Sequence, residues 1–294
     1  MNAIWKYCKG FLFQFFPHHF LSRITFWVTR LQTPLKNPAI RAFIRTFNID
    51  MTEACYPDPE DYASFNEFFT RRLIPGARPI ASGADVIVSP ADGYISQFSS
   101  YAGQRAIQAK GRWFSMHQLL GGANEYGCLC ERGKFVTVYL SPRNYHRVHM
   151  PLDGTLLEMI HVPGRLFSVA PYAGEVLNNL YARNERIVSI FKTGTGYMAV
   201  VMVGAVNVAA IEMTWHGLVT PPRGKTIYRK KYSGIDLKKG EELGVFNMGS
   251  TAIVAFDSHA IEWYPDLRSQ QPVKMGQLLG TTTRSLNPDT PALP

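Results

Sequence analysis

Two patterns of apolar and polar residues divide the chain. Apolar side chains recur at helical spacing over residues 38–47 and 61–73, and Ser64-x-x-Glu67 in the second segment matches a capping box. From Val86 onward, short β-branched runs alternate with Gly, Pro and Asp, a pattern typical of strands. The predicted strands are residues 86–88, 94–97, 135–140, 155–162, 187–191, 197–211 and 252–256. The sequence therefore predicts an α+β fold with a mostly β body.

Two short motifs each occur twice in this β region. Pro90-Ala-Asp-Gly-Tyr-Ile matches Pro151-Leu-Asp-Gly-Thr-Leu, and Leu237-Lys-Lys-Gly-Glu-Glu-Leu-Gly matches Val273-Lys-Met-Gly-Gln-Leu-Leu-Gly. These turns resemble those of barrel-sandwich hybrid domains, the architecture of lipoyl and biotinyl carriers. The Met-Lys motif of a carrier is absent. The resemblance therefore predicts a barrel-sandwich hybrid fold without a carrier function.

The N-terminal segment, residues 1–49, combines cations with aromatic rings. It contains no Asp or Glu before Asp50, and the whole chain carries a net charge of +9. Such a charge predicts an anionic partner, and the aromatic side chains favour a lipid surface over nucleic acid. The longest run without Lys or Arg, residues 10–22, is too short to span a bilayer. We therefore expect N-terminal membrane-facing helices that lie on the membrane, followed by a separate domain over residues 50–294.

The cysteines indicate a reducing compartment. The four of them, Cys8, Cys55, Cys128 and Cys130, have the spacing of neither a disulfide framework nor a zinc site. We expect no metal. The acid-poor, Arg-containing start also resembles a mitochondrial leader, but Ser is scarce in it.

A single Gly249-Ser250-Thr251 step interrupts the apolar sequence of residues 246–256. Gly249 has no Cβ, so the hydroxyl of Ser250 in a tight turn can reach the carbonyl of the preceding residue. That geometry permits attack on the chain's own backbone. An ordinary strand boundary remains the alternative, because Gly, Ser and Thr are common in turns.

Two histidines and one aspartate can complete a site with Ser250. His146 and His149 follow a predicted strand, and two imidazoles can supply a base and an acid near neutral pH. Asp92 lies in the Ser89-Pro-Ala-Asp-Gly turn, where an Asx turn is the alternative to a catalytic role.

The order of these motifs resembles the phosphatidylserine decarboxylase family of pyruvoyl-dependent membrane enzymes. The resemblance extends over residues 51–280. The family's usual Leu-Gly-Ser-Thr appears here as Met248-Gly-Ser-Thr, and its Pro-Arg-Asp-Tyr as Pro142-Arg-Asn-Tyr, without a change in a reacting group. The matching motifs are Phe65-Asn-Glu-Phe-Phe, Ser89-Pro-Ala-Asp-Gly, Gln108-Ala-Lys-Gly, Tyr145-His-Arg-Val-His-Met-Pro, Val162-Pro-Gly-Arg-Leu-Phe-Ser-Val, Ala182-Arg-Asn-Glu-Arg and Gly249-Ser-Thr.

The resemblance implies a self-cleaving zymogen. A relay of Ser250, His149 and Asp92 would cleave the chain between Gly249 and Ser250 into a β chain, residues 1–249, and an α chain, residues 250–294. Ser250 would become a covalent pyruvoyl group, the only cofactor. His146 matches the family's proton donor in decarboxylation.

The implied reaction forms phosphatidylethanolamine and carbon dioxide from phosphatidylserine through a Schiff base, a step of phospholipid biosynthesis. The implied partners are the substrate, an anionic membrane surface and the two cleavage chains bound to each other, with no nucleic acid. The implied location is peripheral, on the cytoplasmic face of a bacterial cell membrane, rather than the mitochondrial inner membrane.

Several alternatives stay open at this point. The roles of His146 and His149 can be exchanged, and a homo-oligomer is compatible with the sequence. A membrane-bound serine esterase would use the same Ser, His and Asp, although the Gly-x-Ser-x-Gly elbow is missing. A non-enzymatic hybrid-barrel binding module would need none of the three residues.

Overall fold

The computed structural model describes residues 18–109, 111–122, 124–205, 210–221, 226–248, 250–257 and 261–283. The first part of the predicted membrane segment, residues 1–17, therefore lies outside the described residues, as do Gly249 and Lys110. For Ser250 the backbone is described and the side chain is not.

Seven short or medium α-helices occur within these ranges. They are α1 (His18–Val28), α2 (Lys36–Phe47), α3 (Phe65–Phe69), α4 (Met116–Leu119), α5 (Gly127–Glu131), α6 (Pro171–Val176) and α7 (Leu180–Arg183), with 3₁₀ turns at Pro59–Asp61 and Asn124–Tyr126. None of the helices in the described part of the chain has the length and hydropathy to cross a membrane.

The two predicted helices have different outcomes. The helix over residues 38–47 is confirmed as α2, whereas the helix over residues 61–73 is wrong in extent, because only Phe65–Phe69 is helical. Ser64 caps α3 by accepting a 3.2 Å hydrogen bond from the Glu67 amide. The chain then leaves the helix so that Leu73 can pair with Ala54 in a β-bridge. Tertiary pairing outweighs the helical spacing here.

The strands confirm the prediction of a mostly β, α+β body. Those of the first half are β1 (Val86–Val88), β2 (Gly93–Ala102), β3 (Arg105–Ala109), β4 (Arg112–Ser115), β5 (Arg132–Leu140), β6 (Arg147–His149), β7 (Gly154–Val162) and β8 (Arg186–Thr193). Those of the second half are β9 (Gly196–Val203), β10 (Ala210–Met213), β11 (Gly217–Leu218), β12 (Tyr228–Lys231), β13 (Asp236–Leu237), β14 (Glu242–Asn247), β15 (Ser250–Phe256), β16 (Ile261–Trp263), β17 (Pro272–Val273) and β18 (Leu278–Thr282).

The predicted single strand over residues 197–211 is wrong, because it divides into β9 and β10 in different sheets. The large sheet has the order β12-β7-β8-β9-β15-β5-β2-β3-β4, with β13 and β17 paired at its side. A second sheet has the order β11-β10-β14-β6, and a third β1-β18-β16. Strand β15 therefore lies inside the large sheet, hydrogen-bonded to β5 on one side and β9 on the other.

The internal repeat of the sequence corresponds to two equivalent turns. Asp92 accepts a 2.8 Å hydrogen bond from the Met275 amide, and Asp153 accepts one of the same length from the Lys239 amide. Gly240 and Gly276 both have φ +84°, a backbone conformation that glycine adopts without strain. The two Asp-Gly turns are thus each clamped by one Lys-x-Gly turn.

A small N-terminal cluster fixes the position of α3. Ile40 of α2 packs with Ile49, Tyr62 and Phe68 in an apolar core separate from the main one, and the rings of Phe43 and Phe65 meet edge to face. Residues 69–71, which follow on from this cluster, are thereby held against the β body.

Candidate active site

The predicted cleavage site lies at the start of β15. Ser250 pairs with Leu140 of β5, and the next residue, Thr251, pairs with both Tyr139 and Val203. Met248, just before the Gly249–Ser250 bond, has φ +104°. Such a conformation is strained for a residue with a side chain. Strained backbone therefore leads directly into the predicted scissile bond.

His149 is held by hydrogen bonds at both ring nitrogens. Nδ1 lies 2.9 Å from the Gly240 carbonyl oxygen, and Nε2 lies 3.1 Å from the Tyr145 hydroxyl. Because a carbonyl only accepts, Nδ1 carries the proton and Nε2 accepts from Tyr145. Burial lowers the pKa of His149 below its ordinary value, so the ring is neutral near pH 7. Its basic nitrogen faces Tyr145.

His146 is fully buried, and neither of its ring nitrogens has a hydrogen-bond partner among the described residues. Its ring lies against the ring of Phe69, with centroids 4.0 Å apart. Burial, and next the positive charge of Arg71, lower the pKa of His146 to about 3. Its carbonyl accepts a 2.9 Å hydrogen bond from the amide of Phe246. This contact ties the His146 backbone to the strand that leads into the cleavage site.

Asp92 is buried and forms an ion pair with Arg78 instead of a hydrogen bond with His149. Arg78 donates from Nε at 2.8 Å and from Nη2 at 2.6 Å to the two carboxylate oxygens. The Met275 amide supplies the third hydrogen bond. The orienting bond that the relay assigns to Asp92 is made to His149 by the Gly240 carbonyl. The relay itself stays a prediction, and so do the separate roles of the two histidines.

The turn before Gly249 has polar contacts that the sequence analysis missed. Asn247 Oδ1 accepts hydrogen bonds from Arg30 Nη2 at 3.0 Å and from Asn66 Nδ2 at 2.9 Å. Arg30 follows α1, so the N-terminal segment touches the residue two positions before Gly249. The position of Asn247 beside Met248-Gly-Ser was the only sequence signal for this contact.

The Ala182-Arg-Asn-Glu-Arg motif has a structural role in the same region. The side chain of Asn184, fully buried, bonds the backbone of Phe167 and donates to the Gly204 carbonyl at 2.8 Å. Glu185 pairs with His161 at 3.1 Å. Gly204 follows Val203, the partner of Thr251, so this motif braces the strand beside the cleavage site.

A cavity of about 250 Å³ adjoins the site. Asp92, Arg143, Asn144, Tyr145 and Arg71 contribute to its lining. It therefore lies between the loop that precedes His146 and the buried Asp92–Arg78 pair. Within the described residues, no three His, Cys, Asp or Glu side chains converge as metal ligands would.

The comparisons with known proteins identify the class of enzyme and then the family. A family model described as phosphatidylserine decarboxylase matches residues 65–281, and a second, described as PSD, matches residues 9–48. Such proteins are decarboxylases, enzymes of the lyase class. The chain belongs to the phosphatidylserine decarboxylase family.

Curated relatives agree over most of their length. This chain is 51% identical to the phosphatidylserine decarboxylase proenzyme of Methylococcus capsulatus over 268 residues. The match covers 90% of this chain and 93% of the relative. The chain is 47% identical to the proenzyme of the same name from Vibrio parahaemolyticus over 88% of this chain and 93% of the relative. The proenzyme of Nitrosococcus oceani is 46% identical over 90% of this chain and 88% of its own length.

Proposed function

We propose that this chain is a proenzyme that cleaves itself between Gly249 and Ser250 and then converts phosphatidylserine to phosphatidylethanolamine and carbon dioxide. The observation that carries the proposal is the position of the two histidines. His149 lies opposite Glu242 in the β6–β14 strand pair, at one end of β14. Near the other end, the amide of Phe246, three residues before Gly249, donates a hydrogen bond to the His146 carbonyl.

In the cleavage step, the Ser250 hydroxyl oxygen forms a bond to the Gly249 carbonyl carbon, and the amide nitrogen of Ser250 leaves. The proposed base is Nε2 of His149, which bears a lone pair because its proton is on Nδ1. It takes the Ser250 hydroxyl proton and gives it to the leaving nitrogen, which becomes an amine. In the precursor the Tyr145 hydroxyl donates a hydrogen bond to Nε2 of His149. Tyr145 therefore either moves away before cleavage or relays the proton from Ser250 to His149. The strain at Met248, about 1–3 kcal/mol for an unfavourable φ, is released once the bond is broken.

The ester then eliminates to free the Gly249 carboxylate, and hydrolysis of the resulting dehydroalanine releases ammonia and leaves a pyruvoyl group at residue 250. Among the residues that the structure describes, the ring nitrogens of His146 and the side-chain nitrogen of Asn247 are buried without a hydrogen-bond partner, which fits a site where bonds are made and broken. The pyruvoyl ketone supplies an electron sink for the electron pair left when carbon dioxide departs.

His146 is the proposed proton carrier of turnover. Burial lowers its pKa to about 3, so it is neutral before the substrate binds. The negative charge of the bound substrate opposes that shift, and this allows the ring to take a proton from the substrate's ammonium group. It then returns that proton to the substrate α-carbon once carbon dioxide has left. Phe69, stacked on the ring, excludes water from this transfer.

The two cleavage products are expected to remain one molecule. Strand β15 of the 250–294 chain is paired on both sides by strands of the 1–249 chain. Separating them would break the ladder hydrogen bonds along both edges of β15 inside a packed core.

Residues 1–49 are proposed to dock the enzyme on anionic lipid at the cytoplasmic face of the membrane, while residues 50–294 form the catalytic domain. Helix α1 supports this, since Phe20, Ile24 and Trp27 are exposed on it beside the cation Arg23. Sedimentation with anionic vesicles measures the docking. Equal binding by a chain that lacks residues 1–48 contradicts it.

Denaturing gels and mass spectrometry test the proposed chemistry. Wild type should give two fragments, the smaller beginning at a blocked residue 250, and Ser250→Ala should give one inactive chain. Intact and fully active wild type contradicts the proposal.

The two histidines should fail at different stages. We expect His149→Ala to accumulate as precursor and His146→Ala to cleave at least partly but to release carbon dioxide 10²- to 10⁴-fold more slowly, the usual range for loss of general acid–base help. If His146→Ala blocks cleavage and His149→Ala matures, the roles are exchanged.

A further inference from the structure

Two buried arginines in the described part of the chain differ in how their guanidinium groups are satisfied. Arg186, 2% exposed, donates from all three side-chain nitrogens to backbone carbonyls, among them that of Leu119 at 2.7 Å. Arg71, 5% exposed, donates from Nη2 to the Arg143 carbonyl at 3.1 Å, whereas its Nε and Nη1 have no acceptor among the described residues. Arg186 thus has a structural role that uses all of its side-chain nitrogens. Arg71 has two buried donor nitrogens that are available to bind a ligand.

Arg71 lies at the candidate active site. It lies two residues after Phe69, whose ring covers His146, and its guanidinium bonds the Arg143 carbonyl in the loop that leads to His146 and β6. It also lines the 250 Å³ cavity that contains Asp92 and Tyr145. His146 does not line this cavity, but it follows Tyr145, which does, and its ring is near enough to Arg71 for that positive charge to lower its pKa.

The charges in this cavity leave Arg71 without a counterion. Asp92 is paired with Arg78, and Glu53 with Arg78 and Lys274. No carboxylate within 4.0 Å pairs with Arg71 in the described residues. A buried guanidinium with two available donor nitrogens is a geometry that binds phosphate oxygens well.

We propose that Arg71 binds the phosphodiester of the phospholipid headgroup and so positions the substrate for His146. This rests on the proposed function, which it extends from the reaction to headgroup recognition. The substrate carboxylate is the less suitable anion, because a fixed cation would stabilise it in the ground state and oppose its departure as carbon dioxide. The phosphodiester stays charged from substrate to product, so its binding is equally strong throughout the reaction.

This difference predicts a distinct kinetic pattern. In matured Arg71→Met, the KM for phosphatidylserine in mixed micelles and the inhibition constant of phosphatidylethanolamine should both rise roughly tenfold to hundredfold, the effect of losing a charge-assisted hydrogen bond, while kcat changes little. Arg71→Lys should lie between Arg71→Met and wild type. Arg186→Lys is the matched control, expected to lower the melting temperature without a selective rise in either constant.

A binding measurement without turnover separates this proposal from the proposed function. Glycerophosphoethanolamine and inorganic phosphate should raise the melting temperature of matured wild type, and both effects should weaken in Arg71→Lys. If phosphate protects in this way but carbon dioxide is not formed, the proposed function fails and Arg71 still binds the anion.

Three results overturn the Arg71 proposal. The first is unchanged KM and product inhibition in Arg71→Met. The second is a rise in KM with unchanged product inhibition, together with protection by free serine, which would assign Arg71 to the carboxylate. The third is an equal rise in melting temperature with phosphate for wild type and Arg71→Lys. This third test can be made even if Arg71→Met does not fold.

Discussion

The buried His146 should make the stability of the protein fall as the pH is lowered. Its pKa is about 3 in the folded chain, against 6.5 for a free histidine. Below pH 6.5 the unfolded chain therefore binds a proton that the folded chain does not bind, so the free energy of unfolding rises with pH across this window. At pH 5 the loss relative to pH 7 is about 2 kcal/mol from this residue.

Urea denaturation of uncleaved Ser250→Ala at pH 7, 6 and 5 measures the effect, with His146→Gln added in the same background. The comparison is between the two pH slopes, because the substitution also changes absolute stability by altering the contact with Phe69. Removing His146 should flatten the slope by about 2 kcal/mol between pH 7 and pH 5. His149, whose pKa is also lowered by burial, accounts for part of the remaining slope. Identical slopes in the two proteins would refute the reasoning.

Three further predictions use pairs or single positions that the structure provides. Asp92→Asn should accumulate as precursor with a lower melting temperature because it loses the buried ion pair, whereas Asp153→Asn, in the equivalent exposed turn, should mature normally on a denaturing gel. Gly240→Ala and Gly276→Ala, both at φ +84°, should each destabilise the fold by about 1–3 kcal/mol in urea, but only Gly240→Ala should slow cleavage, since its carbonyl bonds His149, the proposed base. Trp27→Ser, at a side chain 70% exposed, should weaken vesicle binding in sedimentation without altering cleavage. Normal maturation of Asp92→Asn, equal cleavage by both Gly variants, or unchanged vesicle binding would each contradict the corresponding prediction.

The sequence by itself determined the mostly β body and the positions of most strands. Alternation of β-branched residues with turn residues is a local property, which is why β1 and the core of β5, β7 and β8 agree with the pattern. The repeated Asp-Gly and Lys-x-Gly motifs also had a local cause, since each Asp accepts a backbone amide from the opposite turn. The ordered motifs determined the family as well.

Only the tertiary structure decided how the site residues are connected. His149 bonds the Gly240 carbonyl and Asp92 bonds Arg78, although the family resemblance implied a relay in which Asp92 orients His149. These contacts join residues far apart in sequence. The acceptor of His149 is a backbone carbonyl, which every residue type has, so the sequence could not indicate it. The contrast between Arg71 and Arg186 has the same origin, because the acceptors around a buried guanidinium depend on packing that no local pattern encodes.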